Sequence, residues 1–284
     1  MIREIKNVLV VVNLAKEDAE KIGIEVEKYL VSNGFHTEVL RFVGKPPSKT
    51  ASRFDMAFSL GGDGTVLYCA RLLADYGIPI LAINIGYFGF ITDVAKDEWR
   101  TAFEMFLDGR LGISERIMLG TRVYRGEQEV ASYYGLNDTV IASGGISKVV
   151  RLSLRVGNTN LGNYRADGVI VSTPTGSTAY SAAAGGPILD PEMNAIILNP
   201  ICPFTLSNRP LVLRGMDPVF IGVEEGQRTG VIMTVDGQDV ISLEEGDQVC
   251  FQVSEVRARI IRSNRRNFFE VLRSKLNWSG GPNA

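Results

Sequence analysis

Between residues 8 and 93, short apolar runs alternate with helical patterns, and this alternation constrains the fold more than any other feature of the chain. Residues 8–12 read as a buried strand, 17–31 as a helix, 36–42 as a strand and 54–60 as another buried strand. Val66, Leu67, Ala70, Leu73 and Ala74 then recur at helical spacing, and residues 77–84 return to a strand of parallel-sheet type. Residues 46–53 are a polar connection. Such β-α alternation predicts a doubly wound, mostly parallel sheet that binds ligands at the carboxyl ends of its strands. Residues 61–65 and 84–89 fall at those ends.

The turn Ser59-Leu60-Gly61-Gly62-Asp63-Gly64-Thr65 therefore joins a strand to a helix. Glycines let backbone N–H groups approach a ligand, and a helix start carries partial positive charge, so Gly61, Gly62, Gly64 and Thr65 form a candidate phosphate cradle. A carboxylate beside bound phosphate is repelled unless it holds a metal or takes a proton, both of which are tasks in phosphoryl transfer. The competing reading is that Asp63 merely caps the helix beginning near Gly64.

Composition removes several alternatives. A formal net charge of -2 gives no reason to expect nucleic acid or an anionic membrane as partner. Cys69, Cys202 and Cys250 lack metal-ligand spacing and read as buried, reduced thiols of a cytoplasmic protein. His36 is the single histidine and reads as a solvated surface residue, which argues against a Ser-His-Asp hydrolase or a multi-histidine metal site. Residues 85–90 interleave glycine with aromatics, which either line a pocket or pack beneath a loop. Residues 98–107 form an amphipathic helix, with Trp99, Ala102, Phe103 and Phe106 on one face.

The texture changes after residue 115. Stretches 117–125, 133–142, 149–156, 168–172, 211–223, 230–235 and 248–261 favour strands separated by glycine-bearing turns, which predicts a mostly β, sandwich-like domain. The expected boundaries are residues 1–112 for the α/β domain, 113–263 for the β-rich domain, and 264–284 for a helix returning to the first. On that helix Phe268, Phe269, Leu272 and Leu276 share a face that needs burial. Within the β domain, residues 164–181 are dense in hydroxyls around Pro174 and Gly176, with a short helix expected over 178–184. They offer donors and acceptors to a polyhydroxylated or phosphorylated ligand, beyond what a helix cap would use. Asn137-Asp138 and Asp236-Gly237-Gln238 read first as turns and second as ligand contacts.

On these residues the chain resembles bacterial NAD kinases. The resemblance runs through residues 61–65, Asn84-Ile85-Gly86, Leu136-Asn137-Asp138, residues 167–187, Ser207-Asn208-Arg209-Pro210-Leu211-Val212, Asp236-Gly237-Gln238 and the 272–278 tail. It implies transfer of a phosphoryl group from ATP, or from inorganic polyphosphate, to the 2′-hydroxyl of the adenosine ribose of NAD, giving NADP. By this resemblance Asp63 is the proton acceptor and Gly64 its neighbour at the nucleotide. Asn137 and Asp138 hold the NAD ribose, and Lys148, Arg165, Asp167, Thr178, Ala179, Tyr180, Ser181, Ala182, Ala183 and Gln238 are further NAD contacts. It also implies a divalent cation, taken to be Mg2+, no identified metal ligands, a homodimer or homotetramer, and an active site in the inter-domain cleft. Phe204 stands where many relatives have histidine. Two rivals share part of the pattern: a lipid kinase, which would use the glycine motif without the hydroxyl-rich block, and a non-enzymatic NAD sensor, which would not need Asp63.

Overall fold

The computed structural model describes residues 5–45, 53–86, 89–146, 148–205 and 208–276. Most of the connection expected at 46–53, Tyr87 and Phe88, Ser207, and the tail from 277 lie outside the described residues. The chain divides into two compact units, residues 1–115 with 258–284, and residues 116–257.

In the first unit β1 (Asn7–Asn13), β2 (His36–Phe42), β3 (Met56–Gly61) and β4 (Pro79–Asn84) form a parallel sheet in the order β2-β1-β3-β4. Helix α1 (Ala19–Ser32) joins β1 to β2, and α2 (Asp63–Leu73) joins β3 to β4 through a short 3-10 turn. A two-residue β5 (Val94–Ala95) pairs with the end of β4 and leads to α3 (Trp99–Leu107). Every residue of β3 and β4 is buried, Ser59 and Asn84 included, as expected of mostly apolar strands covered on both faces. Along α1 the buried residues Ala19, Ile22, Gly23, Val26 and Leu30 make one stripe. A Cβ on Gly23 would stand 2.9 Å from Val12, so glycine there lets the helix lie close on β1. Phe58 and Phe103 are fully buried, with ring centroids 5.2 Å apart, and Trp99, Tyr29 and Phe35 pack edge-on around them.

The strand order reverses between β1 and β3. That makes their carboxyl ends a topological switch point, the place where such sheets open a crevice for ligands. Gly61 to Thr65 lie there.

The second unit is a two-sheet β sandwich. Its strands are β6 (Ile113–Arg125), β7 (Gln128–Gly135), β8 (Asp138–Ser143), β9 (Val150–Val156), β10 (Thr159–Ala166), β11 (Gly168–Ser172), β12 (Ala195–Ile201), β13 (Leu211–Arg214), β14 (Val219–Val223), β15 (Val231–Val235), β16 (Asp239–Leu243) and β17 (Gln248–Ile261). One sheet runs β13-β12-β11-β8-β15-β16, and the other contains β10-β9-β14-β17 with β6 against β17 and β7. Both faces share one core, in which Ile141, Val169, Val171, Ile196 and Met233 meet Leu152, Leu154, Val219, Ile221 and Phe251. Between β11 and β12 come a 3-10 turn (Thr175–Thr178) and the short α4 (Tyr180–Ala183).

Strand β17 carries the chain back, and its Arg259 and Ile260 pair in parallel with Pro79 and Ile80 of β4. Helix α5 (Phe268–Leu276) then belongs to the first unit. It opens with reciprocal bonds, Glu270 N–H to Asn267 Oδ1 at 3.0 Å and Asn267 N–H to Glu270 Oε2 at 2.9 Å, which form a capping box.

Several expectations are corrected. The strand expected over 133–142 breaks at Leu136-Asn137 into β7 and β8. The one expected over 211–223 divides into β13 and β14, which lie in different sheets. On α5 only Leu272 is buried, while Phe269 is 64% and Leu276 45% exposed. Cys69 and Cys250 are buried as expected, but Cys202 is exposed at φ 44°. His36 is exposed on β2.

Candidate active site

In the first unit the N-cap of α2 is Gly62, and Asp63 is the first helical residue, so Asp63 is not the cap. Its carboxylate reaches instead to the loop after β4. Oδ2 accepts the N–H of Phe90 at 2.8 Å, while Oδ1 accepts the N–H of Ile91 at 3.2 Å, the N–H of Thr92 at 3.1 Å and the Thr92 hydroxyl at 3.1 Å. The Thr92 oxygen also accepts the Gly89 N–H at 3.0 Å. A Cβ on Gly89 would lie 1.7 Å from Asp63 Oδ1, so only glycine allows this approach. Each carboxylate oxygen offers two lone pairs, and Oδ2 uses one on Phe90. It retains acceptor capacity for a hydroxyl proton.

The glycines before Asp63 differ in role. A Cβ on Gly61 would collide with Thr65 Oγ1 at 2.2 Å, whereas one on Gly62 would meet nothing within 4 Å. Thr65 Oγ1 in turn accepts the Asn13 side-chain N–H at 3.3 Å, which ties the end of β1 to the first turn of α2 at the switch point. Asn13 is a contributor that periodicity did not single out. The loop that holds Asp63 is itself anchored by the C-terminal segment. Ser263 N–H donates to Asp93 Oδ2 at 3.1 Å, Arg266 donates to Glu98 at 2.8 Å and 3.3 Å, and the Lys275 ammonium sits 5.1 Å from the Phe90 ring centroid.

In the second unit Asn137 and Asp138 occupy the break between β7 and β8, and every backbone group of residues 136–138 is satisfied. The three N–H groups donate to the Asp236 carboxylate at 2.9, 2.8 and 3.2 Å. Leu136 O accepts the Thr173 hydroxyl, Asn137 O accepts Thr173 N–H at 2.8 Å and the Ser172 hydroxyl at 3.2 Å, and Asp138 O accepts Asp236 N–H at 2.9 Å. A Cβ on Gly176 would lie 2.1 Å from Asn137 O. Within this cage the Asn137 side-chain oxygen is buried and has no partner among the described residues; the Thr175 hydroxyl is in the same condition. A buried acceptor of this kind is costly unless a donor arrives. Asp138 is 5% exposed, and burial together with the neighbouring Asp236 charge pushes its carboxyl up to about 7.

The hydroxyl-rich block divides its labour differently from the sequence reading. Ser172 and Thr173 bind the 136–137 backbone, Ser177 pairs with Leu189, Thr178 caps back to Thr175 O, and Ser181 meets the Asn199 amide. Most of the serine and threonine hydroxyls build the turn, and that of Thr175 is buried without a partner among the described residues. Tyr180 is 48% exposed, and Lys148, Arg165, Asp167 and Ala183 are exposed as well. Arg165 stacks on Phe204, with its guanidinium carbon 5.2 Å from the ring centroid. Thr178, Ala179 and Ala182 are half-buried and Ser181 is buried. Gln238 closes the β15–β16 hairpin, where Asp236 and Gly237 both adopt positive φ, as the turn reading expects. Among the described residues no three His, Cys, Asp or Glu side chains gather as a metal cage.

Comparison with known proteins gives a consistent result. Residues 43–111 match the family model of the ATP-NAD kinase N-terminal domain and residues 136–263 that of the ATP-NAD kinase C-terminal domain. The chain is 42% identical over 276 residues to an NAD kinase of Treponema denticola, covering 97% of each chain. It is 41% identical over 271 residues to an NAD kinase of Geotalea daltonii, covering 92% of this chain and 95% of that one. Among solved structures, a yeast NADH kinase complexed with NADH superposes with a TM-score of 0.87 at 22% identity, covering 98% of this chain and 89% of that one. An Archaeoglobus fulgidus NAD kinase in complex with ATP gives 0.76 at 24% identity, with 96% and 98% covered. At those identities the two structures speak to the fold.

Proposed function

The chain belongs to the NAD kinase family, and from that membership we propose a mechanism in which Asp63 takes the proton of the NAD hydroxyl that is phosphorylated. The protein is an ATP-dependent NAD kinase, a phosphotransferase. The acceptor atom is the 2′-hydroxyl of the adenosine ribose. A ribose hydroxyl is a poor nucleophile at neutral pH. As its oxygen attacks the terminal phosphorus of ATP, the O–H proton passes to Asp63 Oδ2, the P–O bond to ADP breaks, and ADP departs with the electron pair.

One observation carries this reading. Four donors fix the Asp63 carboxylate at the head of α2 while Oδ2 keeps acceptor capacity, so the base is immobilised beside the helix end suited to phosphate. Gly61, Gly62, Gly64 and Thr65 cradle the donor phosphates. Asn137 and Asp138 receive the ribose, with the unpartnered Asn137 oxygen accepting a hydroxyl proton. Lys148, Arg165, Asp167, residues 178–183 and Gln238 complete the NAD site. No cage of carboxylates fits a resident metal among the described residues. A divalent cation of the Mg2+ kind would enter with the nucleotide phosphates and neutralise their charge. The exposure of Arg165 and Tyr180 suits contacts from a second copy in a homodimer or homotetramer, and the setting we assign is cytoplasmic.

The test is product analysis. With ATP, NAD and Mg2+, the product is NADP carrying its new phosphate on the adenosine 2′-oxygen. Phosphate on another hydroxyl, or none transferred, rejects the reading. Inorganic polyphosphate in place of ATP decides the second donor in the same assay.

A further inference from the structure

We propose that Asp236 is a positioning residue for the acceptor, holding the Asn137–Asp138 pair from a buried hairpin turn so that NAD meets a preformed site. The proposal rests on the reading of Asn137 and Asp138 as the NAD pair.

The geometry is more than a hairpin needs. Asp236 sits at φ 51° and Gly237 at φ 64°, a turn that Asn-Gly closes equally well. What asparagine lacks is a second acceptor oxygen. Asp236 uses both oxygens on three consecutive N–H groups, with Oδ2 on Leu136 and Oδ1 shared by Asn137 and Asp138. Those partners are about a hundred residues away in the chain, and the β15–β8 pairing brings them together, with Val235 opposite Thr139. Asp236 is buried and stands close enough to buried Asp138 for its charge to raise that carboxyl. Two carboxylates in one buried pocket oppose folding, so packing alone does not favour the arrangement. Its benefit lies in what it aims: the 136–138 backbone is satisfied at every N–H and C=O, and the buried Asn137 side-chain oxygen is left without a donor among the described residues. Gln238, two residues on, rides the same turn.

The test is steady-state kinetics of Asp236→Asn, Asp236→Gly, Gly176→Ala and Asn137→Ala with each substrate varied. Asparagine keeps the left-handed turn and loses one acceptor; glycine relieves the turn and loses both. Gly176→Ala displaces Asn137 from the opposite side, through a Cβ 2.1 Å from its carbonyl. KM does not depend on the fraction of folded enzyme, so a merely structural defect lowers apparent kcat and leaves KM for NAD in place. We expect KM for NAD to rise roughly tenfold in Asp236→Asn and more in Asp236→Gly, with Gly176→Ala behaving alike and KM for ATP within about twofold. KM for NAD unchanged in Asp236→Asn and Gly176→Ala, while Asn137→Ala raises it, overturns the positioning role. KM for NAD unchanged in Asn137→Ala itself overturns the acceptor reading beneath it.

Discussion

Asp63 accepts four hydrogen bonds from residues 90–92, so replacing it disturbs a loop as well as any proton transfer. An amide in its place turns an NH2 toward donors, which is a local cost of about 1–3 kcal/mol. Thr92→Val separates the two effects, because it removes one anchor and leaves the carboxylate. We expect Thr92→Val to reduce kcat by less than about tenfold and Asp63→Asn by roughly two to four decades, the range for loss of a general base. Equal losses in the two variants would assign Asp63 to loop anchoring. Asp138 makes a prediction of a different kind. Its folded carboxyl titrates near 7 against an ordinary 3.8, so between those values the folded state holds a proton that the unfolded chain has released. Stability therefore falls as pH rises through that window and levels off above it. Asp138→Asn removes the effect: its unfolding free energy at pH 8 should exceed that of the parent by about 2–4 kcal/mol, with little difference at pH 4. Urea titrations at the two pH values check this, and a parallel pH response in both proteins would contradict it.

At the scale of elements, much of the first unit was legible because its signals are local. The 36–42 and 248–261 strands begin and end where the residues said they would, and β1 extends one residue beyond its apolar run at each end. Strand β1 is buried on both faces, whereas β2 and β17 mix buried with partly or fully exposed residues and are marked by their β-branched and apolar content. The break between β7 and β8 was hidden because its cause, the Asp236 carboxylate, is remote in sequence. Strands β10, β12 and β16 went unseen for other reasons. Asn160, Gly162 and Asn163 in β10 and Asn199-Pro200 in β12 carry turn-like composition that tertiary pairing overrides, and β16 is a short half-exposed edge. Helix α5 was expected to bury four residues; it buries one, and side-chain anchors make up the difference. Glu98 accepts the Ala95 N–H and both Arg265 and Arg266, and the arginine bonds hold its carboxyl below the usual range. That contribution is present above about pH 4.5 and is lost as the group is protonated at lower pH. Glu98→Gln should accordingly release α5: protease nicking after residue 262 should accelerate at neutral pH, and unchanged nicking would show that Leu272 alone retains the helix.

The whole molecule is two units with separate cores, an α/β sheet around Phe58 and Phe103 and a sandwich around Val169, Ile221 and Phe251. Phe103→Ala should cost the first about 3–5 kcal/mol, read as an earlier urea midpoint for that unit, because Phe58, Phe35 and Tyr29 all lose a ring neighbour. A midpoint shift in neither phase would mean that the site collapses around the gap. Of the candidate site, the sequence offered Asp63 and Asn137-Asp138 through their motifs, while Asn13, Thr92 and the clamp of Asp236 depend on neighbours that only the fold supplies. The central claim is that Asp63 takes the proton while this chain phosphorylates NAD. Single-turnover formation of NADP from saturating ATP and NAD tests it most directly. The account predicts that Asp63→Asn binds NAD as the parent does and forms NADP roughly two to four decades more slowly. Formation within tenfold of the parent rate, with NAD bound, would contradict it.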